Sequence, residues 1–241
     1  MTLSHRKILH TSDLHLNNQI EEIGAETPVQ LGLINVIDAA KAHDVDLMLI
    51  AGDLFDHNRV QEAAIEFACH ELRRAQCPVV LITGNHDCYT DHSIYHRMDM
   101  DSIGAHVSFL TNEPGEWVEY DDLHIRVWGR GIVDHHPEHK PLAADFERDG
   151  DYWHIGMTHG YFSVDDQDHY SSLITAAEIG ESDFDYLALG HVHTFREVSQ
   201  GNTLACYSGS PARIPNLPGG AAALVSLDPD AGVAVEKLDL G

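Results

Sequence analysis

Lysine is nearly missing from this chain: Lys7, Lys41, Lys140 and Lys237 are the only four in 241 residues. Lys and Arg together number 14 against 39 Asp and Glu, for a formal charge of −25. Nucleic-acid binding leans on basic side chains that neutralise phosphates, so a broad DNA-binding face is disfavoured. The same acidity fits a salty cytoplasm, where screening is strong, and bound metal cations would balance part of it. Cysteine is scarce as well. Cys69, Cys77, Cys88 and Cys206 form no C-x-x-C pair, which is the usage of reduced, intracellular thiols. No apolar run approaches the roughly 20 residues needed to span a bilayer, so no membrane partner is expected. The chain passes from "MTLSHRKIL" straight to "HTSDLH", without the apolar run and small-residue cleavage site of a secretory signal, and the cytoplasm is the expected location.

What is present is a regular alternation. "RKILHTS" (6–12), "VDLMLIAG" (45–52) and "CPVVLITG" (77–84) are short apolar runs ending in polar or glycine residues, as buried strands do. Between them, "PVQLGLINVIDAAKAH" (28–43) and "RVQEAAIEFACHELRRA" (59–75) carry apolar residues at helical spacing. The order β-α-β-α-β implies parallel strands with right-handed crossovers, and ligands of such sheets sit beyond the carboxyl ends of the strands. The second half is richer in strand signals, among them "EWVEY" (116–120), "LHIRVWG" (123–129), "YWHIGMTHG" (152–160) and "DYLALGHVH" (185–193). These predict a second sheet packed on the first. "LITAAEIGESDF" (173–184) reads as a short helix. With no internal repeat or linker, the expectation is one α/β (α+β layered) domain over residues 1–241, two packed mixed β-sheets flanked by helices. No helical face marks an oligomer interface.

Every strong polar cluster falls just after a strand: Asp13-Leu14-His15, Gly52-Asp53, Gly84-Asn85-His86-Asp87, His159-Gly160 and Gly190-His191-Val192-His193. Taken singly, each has a structural explanation, such as a helix N-cap or a turn that needs glycine. Five clusters at five strand exits, all rich in metal-ligand types, reverse that weighting. In an extended chain, side chains at i and i+2 share a side, so His191 and His193 would project from one edge. Two aspartates, one asparagine and four histidines exceed the needs of one tetrahedral ion; they fit two ions sharing a bridging carboxylate, roughly 3.5–4 Å apart. Mixed imidazole and oxygen donors suit Mn first, with Fe, Zn, Ni or Co as alternatives, rather than Ca. The absence of cysteine from the set argues against a structural zinc site.

The ordered series D-L-H, G-D, G-N-H-D, T-H-G and G-H-V-H resembles the calcineurin-like metallophosphoesterase superfamily from about residue 8 to residue 193. "HTSDLHL", "AGDLFD", "ITGNHD", "LALGHVH" and "YSGSP" look most like the branch containing the SbcD-type DNA repair exonucleases. The resemblance implies a four-layer α-β-β-α sandwich. It also implies that Asp13, His15 and His193 bind one metal, that Asn85, His159 and His191 bind a second, and that Asp53 bridges them. A hydroxide held between the ions would attack phosphorus in line. His86 matches the family's imidazole that protonates the leaving alkoxide or stabilises the transition state, and Asp56 matches the carboxylate that orients it.

Other residues carry weaker signals. Asp87 reads as a turn residue, and Cys88 as a packed thiol whose oxidation would affect the nearby metals. In the Ser/Thr protein phosphatases of the superfamily an arginine follows the aspartate matching Asp56, whereas His57 stands here, which disfavours protein-phosphatase activity. Arg59, Arg130 and Arg213 offer guanidinium forks for phosphate, with surface exposure the simpler reading of each. "VDHHPEHK" (133–140) reads as a solvated loop, and "YFSVDDQDHY" (161–170) as a candidate rim of the substrate cleft.

The exonucleases continue into a DNA-binding cap, whereas this chain closes soon after "YSGSP", so no cap is expected. The function expected is therefore hydrolysis of a small or medium phosphodiester, monoesters included as lesser substrates. The alternatives are an SbcD-like nuclease, which would receive DNA through a partner or at high salt, and a non-catalytic metal-binding scaffold.

Overall fold

The computed structural model describes residues 3–19, 26–134, 136, 139–144, 146–164 and 172–241. Its first half runs β1 (Arg6–Thr11), α1 (Pro28–Ala42), β2 (Leu47–Ala51), α2 (Glu62–Arg73), β3 (Val79–Ile82), α3 (Met100–Ile103) and β4 (Val107–Phe109). There follow β5 (Glu116–Tyr120), β6 (Ile125–Arg130), β7 (Trp153–His159), β8 (Tyr161–Ser163), β9 (Leu173–Thr175) and α4 (Ala176–Glu181). The chain closes with β10 (Tyr186–Gly190), β11 (Arg196–Glu197), β12 (Leu204–Tyr207), β13 (Ala221–Asp228) and β14 (Gly232–Asp239).

Two six-stranded sheets result, ordered β14-β13-β1-β2-β3-β4 and β11-β12-β10-β7-β6-β5. In the first, β1 to β4 are parallel and β13 and β14 join antiparallel. In the second, β6, β7, β10 and β12 are parallel, with β5 and β11 antiparallel at the two edges. The chemistry of the segments explains the layering. LMLIA and VVLI are buried at every position, as strands covered on both faces must be. Met48, Ile50, Val79 and Leu81 face Leu33, Val36 and Ile37 of α1 and Ala64, Ile65 and Leu72 of α2. The alternate residues Leu47, Leu49, Val80 and Ile82 face Ile125, Val127, Ile155 and Met157 of the other sheet, the period of two that a pleated strand imposes. Helix α1 starts where it does because Thr27 and Gln30 form a capping box and Pro28 occupies the first turn.

The fourth layer is thinner than the first. Among the described residues, the outer face of the second sheet is covered by six-residue α4, through Ile179, and by Leu142 and Phe146 of the segment before β7, packed on Trp128, Phe184, Leu187 and Leu189. The helix expected over 173–184 is shorter: Leu173–Thr175 pairs with Tyr161–Ser163 as a parallel two-strand ribbon. Thr175 then caps the helix in a box with Glu178, so a cap signal lies inside the segment that periodicity alone assigns to one element. No described helix is long and apolar enough to cross a membrane.

The core between the sheets contains one titratable group with a consequence for stability. His10 has no exposed surface and lies 2.8 Å, through Nδ1, from the Tyr186 hydroxyl. Burial pushes its imidazole down to about 3. Unfolded chains take up this proton near 6.5, so the folded state loses stability as pH falls from about 6.5 toward 3. At pH 5 the loss from this group is about 2 kcal/mol. Urea unfolding of wild type and His10→Gln at pH 7 and pH 5 checks this: the variant's stability should fall less between the two, by about that amount, whereas parallel losses would contradict it.

Candidate metal centre

The strand register determines which loops meet. Thr11 pairs with Ile50, and Ala51 with Ile82, so the chain leaves β1, β2 and β3 at one edge toward Asp13, Asp53 and Asn85. In the second sheet Gly190 pairs with His159, which brings the ends of β7 and β10 to the same edge. The two sheets touch there. A Cβ on Gly190 would overlap the Ala51 carbonyl and the His159 imidazole, and one on Gly84 would overlap the Asp53 carboxylate. Only glycine permits these approaches. Asp13, His15, Asp53 and His191 take positive φ values of 55°, 54°, 54° and 106°, a conformation that non-glycine residues hold only where the surroundings impose it. Four of the nine described non-glycine residues with positive φ are thus residues singled out from sequence.

All seven candidate ligands converge. His15 Nε2 lies 3.1 Å from His193 Nε2, and 4.0 and 3.9 Å from Asp13 Oδ1 and Asp53 Oδ2. His193 Nε2 is 3.6 Å from Asp13 Oδ1. On the other side, His159 Nε2 and His191 Nδ1 lie 3.0 and 2.9 Å from the same Asn85 Oδ1. Asp53 Oδ2 stands between the groups, 3.4 Å from His159 Nε2. The segment behind β10 is not extended, since the strand ends at Gly190 and His191 turns to positive φ. His191 and His193 still reach one edge, but by this turn rather than by alternation, and they face different partners.

Hydrogen bonding around the cluster fits a cation. Asp13 Oδ2 accepts from the Ser12 hydroxyl and from His191 N, while buried Asp13 Oδ1 has no hydrogen-bond partner among the described residues and faces two imidazole nitrogens. His159 Nδ1 donates to the Ala51 carbonyl at 2.9 Å, which orients the ring and turns Nε2 toward two acceptor oxygens. An imidazole between two acceptors needs positive charge. Burial opposes that charge, but Asp53 outweighs it and holds His159 up at about 9. Burial would likewise raise the Asp53 carboxyl, yet His159 beside it holds it well below the usual range. Burial pushes His15 and His191 down, toward the neutral form that binds metals. Imidazole, carboxylate and amide oxygen are together the donor set of a first-row transition metal.

His86 lies beside this cluster, its ring centroid 4.6 Å from that of His15. Its main-chain N–H donates to Asp53 Oδ1 at 2.9 Å. Nδ1 donates to the main-chain carbonyl of Asp56 at 2.8 Å, which leaves Nε2 without a hydrogen-bond partner among the described residues. The Asp56 carboxylate stands 3.6 Å from both His86 Nδ1 and His15 Nδ1. The support expected from the Asp56 side chain therefore reaches His86 chiefly through the main chain.

Several weaker expectations change. Asp87, read as a turn residue, has no exposed surface and holds the loop together with three accepted hydrogen bonds; burial, with Asp53 nearby, pushes it up to about 6. Arg130 is tied to the carbonyls of Glu113 and Lys140, and Arg213 to Asp239 and the Gly241 carbonyl, so each spends part of its donor fork within the protein. Arg59 is exposed. Cys88 is buried, and burial with Asp87 beside it raises the thiol, which makes it a poor target for oxidation. Of the segment 133–140, residues 135, 137 and 138 lie outside the described residues, and of 161–170, residues 165–170. His139 is half-buried, not solvated: burial and then Arg130 lower it to about 4. Tyr161 opens the second segment with its ring 6.5 Å from that of His191. Ser210, missed in the sequence except as part of "YSGSP", donates to the Asp13 carbonyl at 2.8 Å.

The sequence profile of the calcineurin-like phosphoesterase family matches residues 6–195. The chain belongs to this family. Relatives of this calcineurin-like phosphoesterase include the uncharacterized metallophosphoesterase YhaO of Bacillus subtilis, 26% identical over 220 residues, covering 84% of this chain and 52% of YhaO. The SbcD component of nuclease SbcCD from the same organism is 27% identical over 254 residues, covering 85% of this chain and 61% of that protein. The chain thus spans about half to three fifths of the length of these curated relatives. Among solved structures, TT1561 of Thermus thermophilus has a similar fold, with a TM-score of 0.63 and 14% identity over 99% of this chain and 100% of that one.

Proposed function

We propose that the chain is a phosphodiesterase that uses two divalent or trivalent metal ions to hydrolyse a small or medium phosphodiester by in-line attack of an activated water. The observation that carries this is the convergence of seven oxygen and nitrogen donors at the edge where the two sheets meet, with Asp53 between the halves. Asp13, His15 and His193 would hold one ion and Asn85, His159 and His191 the other; Mn is the proposed metal, with Fe, Zn, Ni or Co as substitutes. Two ions bound there would lower the pKa of water toward neutrality and offset charge on the phosphoryl oxygens. His86, its Nδ1 engaged by the Asp56 carbonyl, delivers a proton from Nε2 to the leaving oxygen, and Asp56 holds the ring in place.

The charge of −25 and the shortage of lysine favour a small diester over a long polyanion. A nuclease is the second reading, favoured by the likeness to the SbcCD component over 85% of this chain. Stripped enzyme restored with Mn, Fe or Zn separates the two when assayed in parallel on bis-p-nitrophenyl phosphate, p-nitrophenyl phosphate and a single-stranded oligonucleotide. Diester turnover exceeding monoester turnover, with the oligonucleotide intact, is the expected result. Robust oligonucleotide cleavage that disappears in His86→Asn would replace it with the nuclease, and full metal loading without turnover of any ester would leave a scaffold.

A further inference from the structure

We propose that Asp87, with Tyr95, is a positioning residue that clamps together the two loops carrying Asp53, Asp56, Asn85 and His86; its kinetic readout rests on the phosphodiesterase reading above. Asp87 follows His86 directly, yet its carboxylate points into the protein and is fully buried. Oδ1 accepts from Gly84 N at 2.8 Å, and Oδ2 accepts from Phe55 N at 3.1 Å and from the Tyr95 hydroxyl at 2.6 Å. One carboxylate thus joins the loop after β3, the loop after β2 and the short turn Ile94–Arg97. Gly84 is the neighbour of Asn85, and Phe55 of Asp56, so each bond is made one residue from a group assigned to the site. The hydrogen bond from His86 N to Asp53 Oδ1 ties the same two loops a second time.

Tyr95 gives the clamp a fixed base. Its ring is buried and packs 5.7 Å from Phe55 and 4.4 Å from Phe109, centroid to centroid, so the hydroxyl has little freedom to leave Asp87. Burying a carboxylate is costly unless it is hydrogen-bonded throughout, and bonds to an ionised acceptor are stronger than neutral ones. A leucine or asparagine of similar size would fill the space without holding three donors. In Asp87→Asn the amide nitrogen must face at least one of them, so a donor loses its acceptor and the two loops are pushed apart. In Tyr95→Phe both main-chain bonds survive and only the phenolic one is lost.

The test compares wild type, Asp87→Asn and Tyr95→Phe by three measurements: thermal midpoint, Mn affinity of the stripped protein by calorimetry, and kcat and KM on bis-p-nitrophenyl phosphate at saturating Mn. Asp87→Asn is expected to weaken Mn binding or lower kcat by about 10–100-fold, the range for outer-shell partners of metal sites, with KM within about twofold. Tyr95→Phe should move the same quantities in the same direction by about 2–10-fold, as loss of one hydrogen bond does. An Asp87→Asn protein with a lower midpoint but wild-type Mn affinity and wild-type kcat per folded molecule would overturn the clamp, leaving Asp87 a packing residue. If that variant does not fold, Tyr95→Phe decides, and wild-type affinity and kcat in it overturn the proposal. A wild type that binds Mn but turns over no ester removes the phosphodiesterase reading alone, because the calorimetric comparison still tests the clamp.

Discussion

His86→Asn is expected to lower kcat by about 10²–10⁴-fold on a diester with an alkoxide leaving group, and far less on bis-p-nitrophenyl phosphate. The difference arises because a nitrophenolate departs without a proton, whereas an alkoxide needs one as the bond breaks. His86 is suited to supply it: Nδ1 is held by the Asp56 carbonyl at 2.8 Å, so the ring presents Nε2. Its side chain is 43% exposed, so a proton can be replenished from solvent between turnovers. Rates on the two leaving groups, taken with metal content by elemental analysis, check the role. Equal losses on both substrates with two ions still bound would place His86 in charge stabilisation instead of proton transfer.

Removing the carboxylate proposed to bridge the two ions should also have a large effect. Asp53 is buried and stands 3.9 Å from His15 Nε2 and 3.4 Å from His159 Nε2, so it serves both halves of the proposed centre. Outer-shell changes cost about 10–100-fold, and loss of a shared ligand should exceed about 10²-fold in turnover. Stability gives an independent measure. An ion at 100 times its dissociation constant stabilises the folded state by about 2.7 kcal/mol, which for a chain of this length raises the thermal midpoint by about 5–10 °C per ion. Wild type should show that rise when Mn is added to stripped protein and lose it with a chelator. Asp53→Asn should melt at nearly the same temperature with and without Mn, and an undiminished Mn-dependent rise in the variant would contradict the bridging role.

The site was more legible in the sequence than the surroundings that hold it. Asp13, Asp53, Asn85, His191 and His193 follow strand ends and His159 closes β7, and strand ends are visible as apolar runs that stop at glycine or polar residues. Packing of the two sheets then brings those ends together, which patterning alone does not place. Asp87 has the local sequence of a turn, and the approach of Gly84 N, Phe55 N and Tyr95 gives its carboxylate a buried role that local sequence does not show. The use of the Asp56 carbonyl was invisible for a related reason: a main-chain group has no sequence signature. Leu173–Thr175 escaped as a strand because its partner, Tyr161–Ser163, lies across a connection with no pairing signal of its own.

The claim on which the rest depends is that seven side chains hold two ions at the meeting edge of the sheets. Crystals of the Mn-loaded protein, measured at a wavelength where Mn scatters anomalously, test it without reference to any substrate. The account predicts two anomalous peaks roughly 3.5–4 Å apart, one among Asp13, His15 and His193, the other among Asn85, His159 and His191, with Asp53 touching both. A single peak, or peaks away from these residues, would contradict it.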